Sequence, residues 1–310
     1  GQMSEAEIDS CIPMGELSLD GNLKPIAGAL PMAVKARNEG FRAVIVPCEN
    51  AREAAVVEGL TVYGAHCLRD VVDHFDGTRR MEAVTVDMNK EFYDDACRYD
   101  IDFSDVKGQQ ITKRALEIAA AGGHNILMIG PPGAGKTMLA RRIPTIMPPL
   151  TLDEALETTK IHSVAGKTGS GCGLMTRRPF RSPHHTISNV ALVGGGTNPQ
   201  PGEISLSHNG VLFLDEMPEY NRSVLEVMRQ PLEDGVITIS RARYSIEYPA
   251  RFMLVASMNP CPCGYYTHPD KECTCKIGDI KRYRSKISGP LLDRIDIHIE
   301  VLPVKVSELS

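Results

Sequence analysis

With 310 residues, 42% hydrophobic and 24% charged, the chain has the composition of a folded protein of about two domains, which excludes a disordered tail, a collagen-like repeat and a small disulfide-stapled scaffold. Trp is absent and aromatic residues make up only 5%, leaving little material for a surface that grips single strands by base stacking. The net charge of −5 hides an asymmetry: residues 1–105 carry 10 basic and 20 acidic side chains, the remainder 24 and 19, so an anionic ligand is drawn to the second part.

The start, Gly1-Gln2-Met3, lacks the basic-then-apolar order of a signal peptide and is expected to be a cloning remnant or the cut edge of a longer cytoplasmic protein. No run of about 18 apolar residues is present; the longest uncharged run, Ile118 to Gly135, is broken by Gly, Pro, His and Asn. Residues 15–75 alternate strand and helix signals. Leu17 and Leu19 alternate with polar neighbours, Asp20-Gly21-Asn22 makes a turn, and Pro25 to Asn38 is a helix that Gly40 caps. Ala43–Val46 and Leu60–Tyr63 read as strands, Glu49–Val57 and His66–Phe75 as helices. Residues 77–105 lose the periodicity and gather Asp94, Asp95, Asp100, Asp102 and Asp105, the mark of a solvated acidic linker.

From residue 106 onward the pattern predicts an α/β domain with a parallel sheet. A helix over Gln109–Ala121, with Ile111, Ala115, Ile118 and Ala119 at helical spacing, ends at Gly122-Gly123. The strand Ile126–Ile129 follows, then a helix over Lys136–Ile143 stopped by Pro144. Val211–Leu214 and Phe252–Ala256 read as central strands.

Between the first strand and its helix lies Gly130-Pro131-Pro132-Gly133-Ala134-Gly135-Lys136-Thr137, which fits G-x-x-x-x-G-K-[ST] in the strand-to-helix context that separates a phosphate loop from a chance match. Three glycines let successive main-chain N–H groups turn toward phosphate oxygens, and the helix N-terminus adds partial positive charge. Lys136 then bridges the β- and γ-phosphates of ATP and the Thr137 hydroxyl holds Mg²⁺. Val211-Leu-Phe-Leu-Asp215-Glu216 ends a strand in two carboxylates: Asp215 is expected at the Mg²⁺, and Glu216 to polarise the attacking water. Asn259, at the end of the third strand, orients the same water through its amide. The bland alternatives are a helix-capping glycine turn, surface acids and a turn-forming Asn.

The chain resembles the magnesium-chelatase-like AAA+ ATPases of the bacterial ComM/YifB family. The resemblance is carried by Gly122 to Thr137, Arg178-Pro-Phe-Arg-Ser-Pro-His-His-Thr186, Pro201 to Glu216, Asn259-Pro-Cys-Pro-Cys-Gly264 and Ser288-Gly-Pro-Leu-Leu-Asp-Arg-Ile-Asp296, and runs from about residue 14 to 304. It implies a P-loop NTPase core over residues 106–310 and a homo-oligomeric, hexameric ring with ATP between subunits. It also implies action on DNA, since ComM-like members are branch-migrating helicases of natural transformation, with recombination proteins as partners and no membrane. By motif, Asn259 resembles the family's first sensor and Arg294 the arginine finger that reaches a neighbour's γ-phosphate, a task suited to a permanently charged guanidinium; the plain alternative for Arg294 is an ion pair with Asp293 or Asp296. Residues 1–76 resemble part of a Lon-type protease domain, through Gly15-Glu-Leu-Ser-Leu-Asp-Gly21 and Lys24-Pro-Ile-Ala-Gly28. Ala29-Leu30-Pro31-Met32 stands where active members carry the catalytic lysine, so peptide hydrolysis is not expected, and Lys35 is read as a surface residue. Family members continue into a helical lid with a second sensor arginine; without it, nucleotide turnover is expected to be impaired. Alternative functions are a chelatase-type ATPase that remodels a protein without DNA, and a nonenzymatic nucleotide-dependent scaffold.

The nine cysteines comprise five scattered singles and one cluster, Cys261, Cys263, Cys273 and Cys275. Four soft ligands suit tetrahedral zinc, but one residue within each pair is tighter than the usual two to four. Zn²⁺, with His268 as a substitute ligand, free or redox-active thiols, and a disulfide all stay open. Arg177, Arg178, Arg181, Arg241 and Arg243 are candidate contacts to a nucleic-acid backbone, the last two near the tip of a hairpin over Val236–Ser240 and Tyr244–Tyr248; solvated or internally paired charge is the alternative. His184 and His185 read as structural.

Overall fold

The computed structural model describes residues 9–87, 92, 99–168, 173–196, 199–241, 244–266 and 268–304. It divides into two compact units: residues 1–96 with 151–176, and 97–150 with 177–310.

The first unit is a three-stranded parallel sheet in the order Cys11–Pro13, Ala43–Pro47, Thr61–Ala65. Helices Ala29–Asn38, Cys48–Ala54 and Leu68–Phe75 accompany it. The first begins at Ala29, four residues later than the sequence suggests, because Gly28 adopts φ 81°, a left-handed conformation that cannot continue a helix. Glu53 is 2% exposed, and its carboxylate accepts from the Leu30 N–H at 3.1 Å and from Thr168 Oγ1 at 3.3 Å. A buried anion is thereby satisfied by a helix's first turn.

The helix Leu152–Val164 groups with this unit, opened by a Thr151/Glu154 capping box and tied on by the Gly28 N–H donating to Ser163 O at 2.8 Å. Sequence order alone assigns it to the second domain. The acidic linker also shrinks: Ala83 bridges to Tyr63, while Phe103 and Val106 are buried in the second unit's core. Arg142 donates to Asp102 O at 2.9 Å and to the Asp105 carboxylate at 3.3 Å, so these acids are structural rather than merely solvated. Asp94 and Asp95 lie outside the described residues.

The second unit holds five parallel strands in the order Ile297–Glu300, Ile126–Ile129, Met253–Met258, Val211–Leu214, Phe180–Arg181. Strand alternation sends Leu212, Leu214, Leu254 and Ala256 into one core and Val211, Phe213, Met253 and Val255 into the other. The helix Gln110–Gly122 forms as expected, yet it buries Thr112, Leu116, Ala119 and Ala120, leaving Ile111 and Ile118 exposed. Spacing alone does not say which stripe meets the sheet. The hairpin pairs Val236–Arg241 with Tyr244–Pro249. Among the described residues no helix is long and apolar enough to cross a membrane.

One side chain ties the strands together at their N-terminal edge. Asn125 Oδ1 accepts from the Leu254 N–H at 2.8 Å, and Asn125 Nδ2 donates to Arg294 O at 2.8 Å. Asn125→Ala leaves the buried Leu254 amide without its partner, and is expected to lower stability by about 2 kcal/mol, read as a shift of the urea unfolding midpoint at unchanged slope.

Candidate nucleotide site

The strand order sets the site. Three adjacent parallel strands end side by side, each followed at once by a polar residue: Ile129 by the loop 130–137, Leu214 by Asp215, Met258 by Asn259. The crevice outside the carboxyl ends of parallel strands is where such sheets bind ligands.

In the loop, Gly133 at φ 80° and Gly135 at φ 84° hold left-handed turns that side chains resist. Gly130 is required for another reason: a Cβ there would lie 2.2 Å from Val301 O. Lys136 is 9% exposed, and its ammonium donates to Gly130 O at 2.6 Å, Pro131 O at 3.0 Å and Asn259 Oδ1 at 3.2 Å. Burial pushes its pKa below the usual lysine value, against the opposing pull of the Asp215 and Glu216 carboxylates. Thr137 Oγ1 donates to Asp215 Oδ2 at 2.8 Å, so a hydroxyl and a carboxylate meet as two hard oxygen donors of the kind Mg²⁺ takes. Ala134 is buried beneath the loop, and Gln109 Nε2 donates to its carbonyl at 2.9 Å.

Glu216 adopts φ 52°, ψ 49°, a conformation that costs a non-glycine residue of order 1–3 kcal/mol and persists only where its surroundings impose it. Here the restraint is Ser257. Its Oγ accepts from the Glu216 N–H at 3.1 Å and donates to the Asp215 carboxylate, locking the two acids to the neighbouring strand. Sequence reasoning passes over Ser257, although a fully buried hydroxyl in the apolar strand Met253–Met258 is the signal that exposes it. Tyr283 closes the wall; it takes a hydrogen bond from the Asn259 backbone, and burial pushes its hydroxyl up to about 12.

Arg294 stands apart from this group. Its carbonyl is bound to Asn125, at the opposite edge of the sheet, and its guanidinium donates to Glu233 Oε1 from Nε at 2.9 Å and Nη2 at 2.6 Å. The ion pair is therefore with Glu233 rather than with Asp293 or Asp296, the latter lying 3.4 Å from His124 Nδ1. Arg178 donates to Pro148 O and Asn209 O, both at 2.6 Å, and Arg181 forms a two-point pair with Glu203 at 2.6 and 2.7 Å. These two are corrected from nucleic-acid contacts to internal ties, because a guanidinium already held on its fork has few donors left to offer. Arg177 lies 5.7 Å over the Tyr99 ring. Arg243 and the Arg241 side chain lie outside what is described. His184 stacks on His185 at 4.1 Å and its Nδ1 lies 2.9 Å from Thr186 Oγ1, as a structural pair does. Lys35 pairs with Glu39 at 3.7 Å on the surface.

The four clustered cysteines meet. Cys261, Cys263, Cys273 and Cys275 bring their sulfurs within 4.8 Å of one another in spite of the short spacing. His268 is not among them: its Nδ1 accepts from the Asp270 N–H at 3.0 Å.

Residues 102–309 match the family model for magnesium chelatase, subunit ChlI, and residues 1–50 a second one for the ChlI subunit of Mg-chelatase. The chain belongs to the magnesium chelatase ChlI family. Within it, the competence protein ComM of Haemophilus influenzae is 46% identical over 288 residues, 93% of this chain and 56% of its own length. The uncharacterized protein YifB of Escherichia coli K12 is 45% identical over 300 residues, 97% of this chain and 58% of its own. Lon protease 2 of Bacillus subtilis is 30% identical over 159 residues, 47% of this chain and 27% of its own. The chain thus spans less than two thirds of the ComM and YifB relatives. The resemblance read from the motifs holds, and the second unit is the P-loop AAA+ core of a magnesium-chelatase-like protein.

In this chelatase-family core the loop and the edge strand are packed too closely for any Cβ at position 130. Gly130→Ala is expected to cost about 2–3 kcal/mol through overpacking, seen as a lowered thermal midpoint, whereas Gly278→Ala, where nothing lies within 4 Å, leaves the midpoint unchanged.

Proposed function

We propose that the chain is the nucleotide-binding part of a Mg²⁺-dependent ATPase that acts as a homo-oligomeric, hexameric ring on DNA, in the manner implied by the likeness to the ComM group. The observation that carries it is the convergence of Lys136, Thr137, Asp215, Glu216 and Asn259 at the ends of three adjacent strands. In this reading the main-chain N–H groups of residues 133–137 hold the phosphates, and Lys136 sits between the β and γ positions. Thr137 and Asp215 supply the ligands of a Mg²⁺ whose charge offsets that developing on the phosphates. Glu216 accepts the proton of the attacking water, and Asn259 orients that water through its amide.

The restraint of Glu216 by Ser257 favours this assignment, since a base is effective when its position is set before the reaction. Arg294, at the far edge of its own sheet and exposed beside Glu233, reaches a phosphate only in a neighbouring subunit. Its surface pair with Glu233 is weak enough to exchange for a γ-phosphate.

The DNA reading rests on the ComM resemblance and on the net positive charge of residues 106–310. A second reading, a chelatase-type ATPase that remodels a protein partner without DNA, is favoured by the internal engagement of Arg178 and Arg181, which removes two of five candidate cations.

In the full-length protein, Lys136→Ala is expected to abolish binding of a fluorescent ATP analogue. Glu216→Gln retains that binding and lowers hydrolysis by about 10²–10⁴-fold, measured as phosphate release. Branched or single-stranded DNA raises turnover, and the stimulation falls steeply with salt; turnover indifferent to every DNA tested turns the assignment to the protein-remodelling reading.

A further inference from the structure

Residues 260–276 leave the sheet directly after Asn259 and return as the helix Ile277–Arg284. The centre of this excursion is sulfur. Cys261 Sγ lies 3.3 Å from Cys263 Sγ and 3.7 Å from Cys273 Sγ, and Cys263 and Cys273 are 3.6 Å apart. Cys275 completes a set whose four sulfurs lie within 4.8 Å of one another. Sulfurs each about 2.3 Å from a tetrahedral zinc stand about 3.8 Å from one another, whereas a disulfide brings its two sulfurs to about 2.05 Å. Main-chain donors already point at the sulfurs: the Cys263 N–H to Cys275 Sγ and the Tyr266 N–H to Cys261 Sγ, both at 3.3 Å. Such outer bonds orient metal-bound thiolates and ease their charge.

We propose that Cys261, Cys263, Cys273 and Cys275 bind one zinc ion, and that this ion holds the loop that positions Asn259 and the phosphate loop. The second half rests on the nucleotide-site reading given above. Its support is the loop's contacts. Gly264, at φ 85°, packs so closely on the phosphate loop that a Cβ would lie 2.6 Å from Pro132 Cδ. Pro260 O, next to Asn259, accepts from Arg284 Nε at 3.1 Å, and the same guanidinium lies 5.3 Å over the Tyr266 ring. Pro262, Thr274 and Cys275 line one cavity of about 680 Å³ together with Glu216 and Asn259. A zinc tetrathiolate therefore stiffens one wall of the nucleotide site from behind, touching neither phosphate nor water. Binding converts four thiols to thiolates and releases their protons to solvent, with no change of oxidation state.

The test uses the full-length protein and two readouts. Elemental analysis is expected to find about one zinc per chain, and Co²⁺ exchanged into the same protein is expected to show the thiolate-to-cobalt charge-transfer and tetrahedral d–d absorption of a four-sulfur site. Cys273→Ser loses both, while Cys273→His, which keeps a zinc ligand, retains the metal. Iron in place of zinc, or neither metal with no cobalt spectrum, overturns the site. For the positioning role, Cys273→Ser with an unchanged far-UV circular dichroism spectrum is expected to bind the fluorescent ATP analogue about tenfold or more weakly, and Cys273→His to restore it. Equal affinity in the metal-free and metal-bound proteins overturns that role and leaves the zinc site standing. A wild-type protein that carries zinc but binds no nucleotide overturns the phosphate-site reading instead.

Discussion

The three-way contact among Thr137, Asp215 and Ser257 is the constraint on which the second unit's chemistry depends. It joins the helix after the phosphate loop to the ends of two further strands through hydrogen bonds made in a place largely closed to water. In such surroundings a satisfied polar network specifies one arrangement, because each partner removed leaves a polar group stranded. The parallel sheet supplies the spacing, the Gly130 packing sets the loop's height, and Ser257 turns a strand terminus into a fixed pair of carboxylates.

That constraint separates two kinds of electrostatics in the same unit. At the carboxyl edge the cation is buried and its charge is held among carbonyls and acids, so its pKa is pushed down by desolvation. At the amino edge Arg294 is exposed and paired with Glu233, a contact of small net worth in water. A ring of such units would bring the loosely held cation of one copy to the tightly organised edge of the next. The sulfur cluster stands behind that edge, at the one loop whose length no strand or helix restrains.

Several parts of this arrangement were readable in advance and others were not, for identifiable reasons. The phosphate loop and the strand ending in Asp215-Glu216 were readable because each is a continuous stretch whose chemistry needs those residue types in that order. The helix Gln110–Gly122 was readable as a helix, but not its buried stripe: Ile111 faces outward while Thr112 is covered. Arg178 and Arg181 look like free cations in one dimension, and only the folded chain brings the Asn209 carbonyl and Glu203 to them. The short Cys-x-Cys spacings argue against a shared metal until the loop's path closes the distance between the pairs. The helix Leu152–Val164 joins the first unit although it follows the phosphate loop in sequence, a non-local choice made by packing.

The amino-acid sequence alone determined the class of the chain, an α/β protein with a phosphate-gripping turn, since glycine, lysine and threonine at fixed offsets act through the local backbone they create. Tertiary structure alone decided which distant groups would share that turn's surroundings: Ser257 beside Glu216, Glu233 beside Arg294, and four sulfurs beside one another. The physical reason is that local conformation follows from neighbours along the chain, whereas charge satisfaction and ligand geometry follow from neighbours in space, and these exist only once the sheet has set the order of its strands.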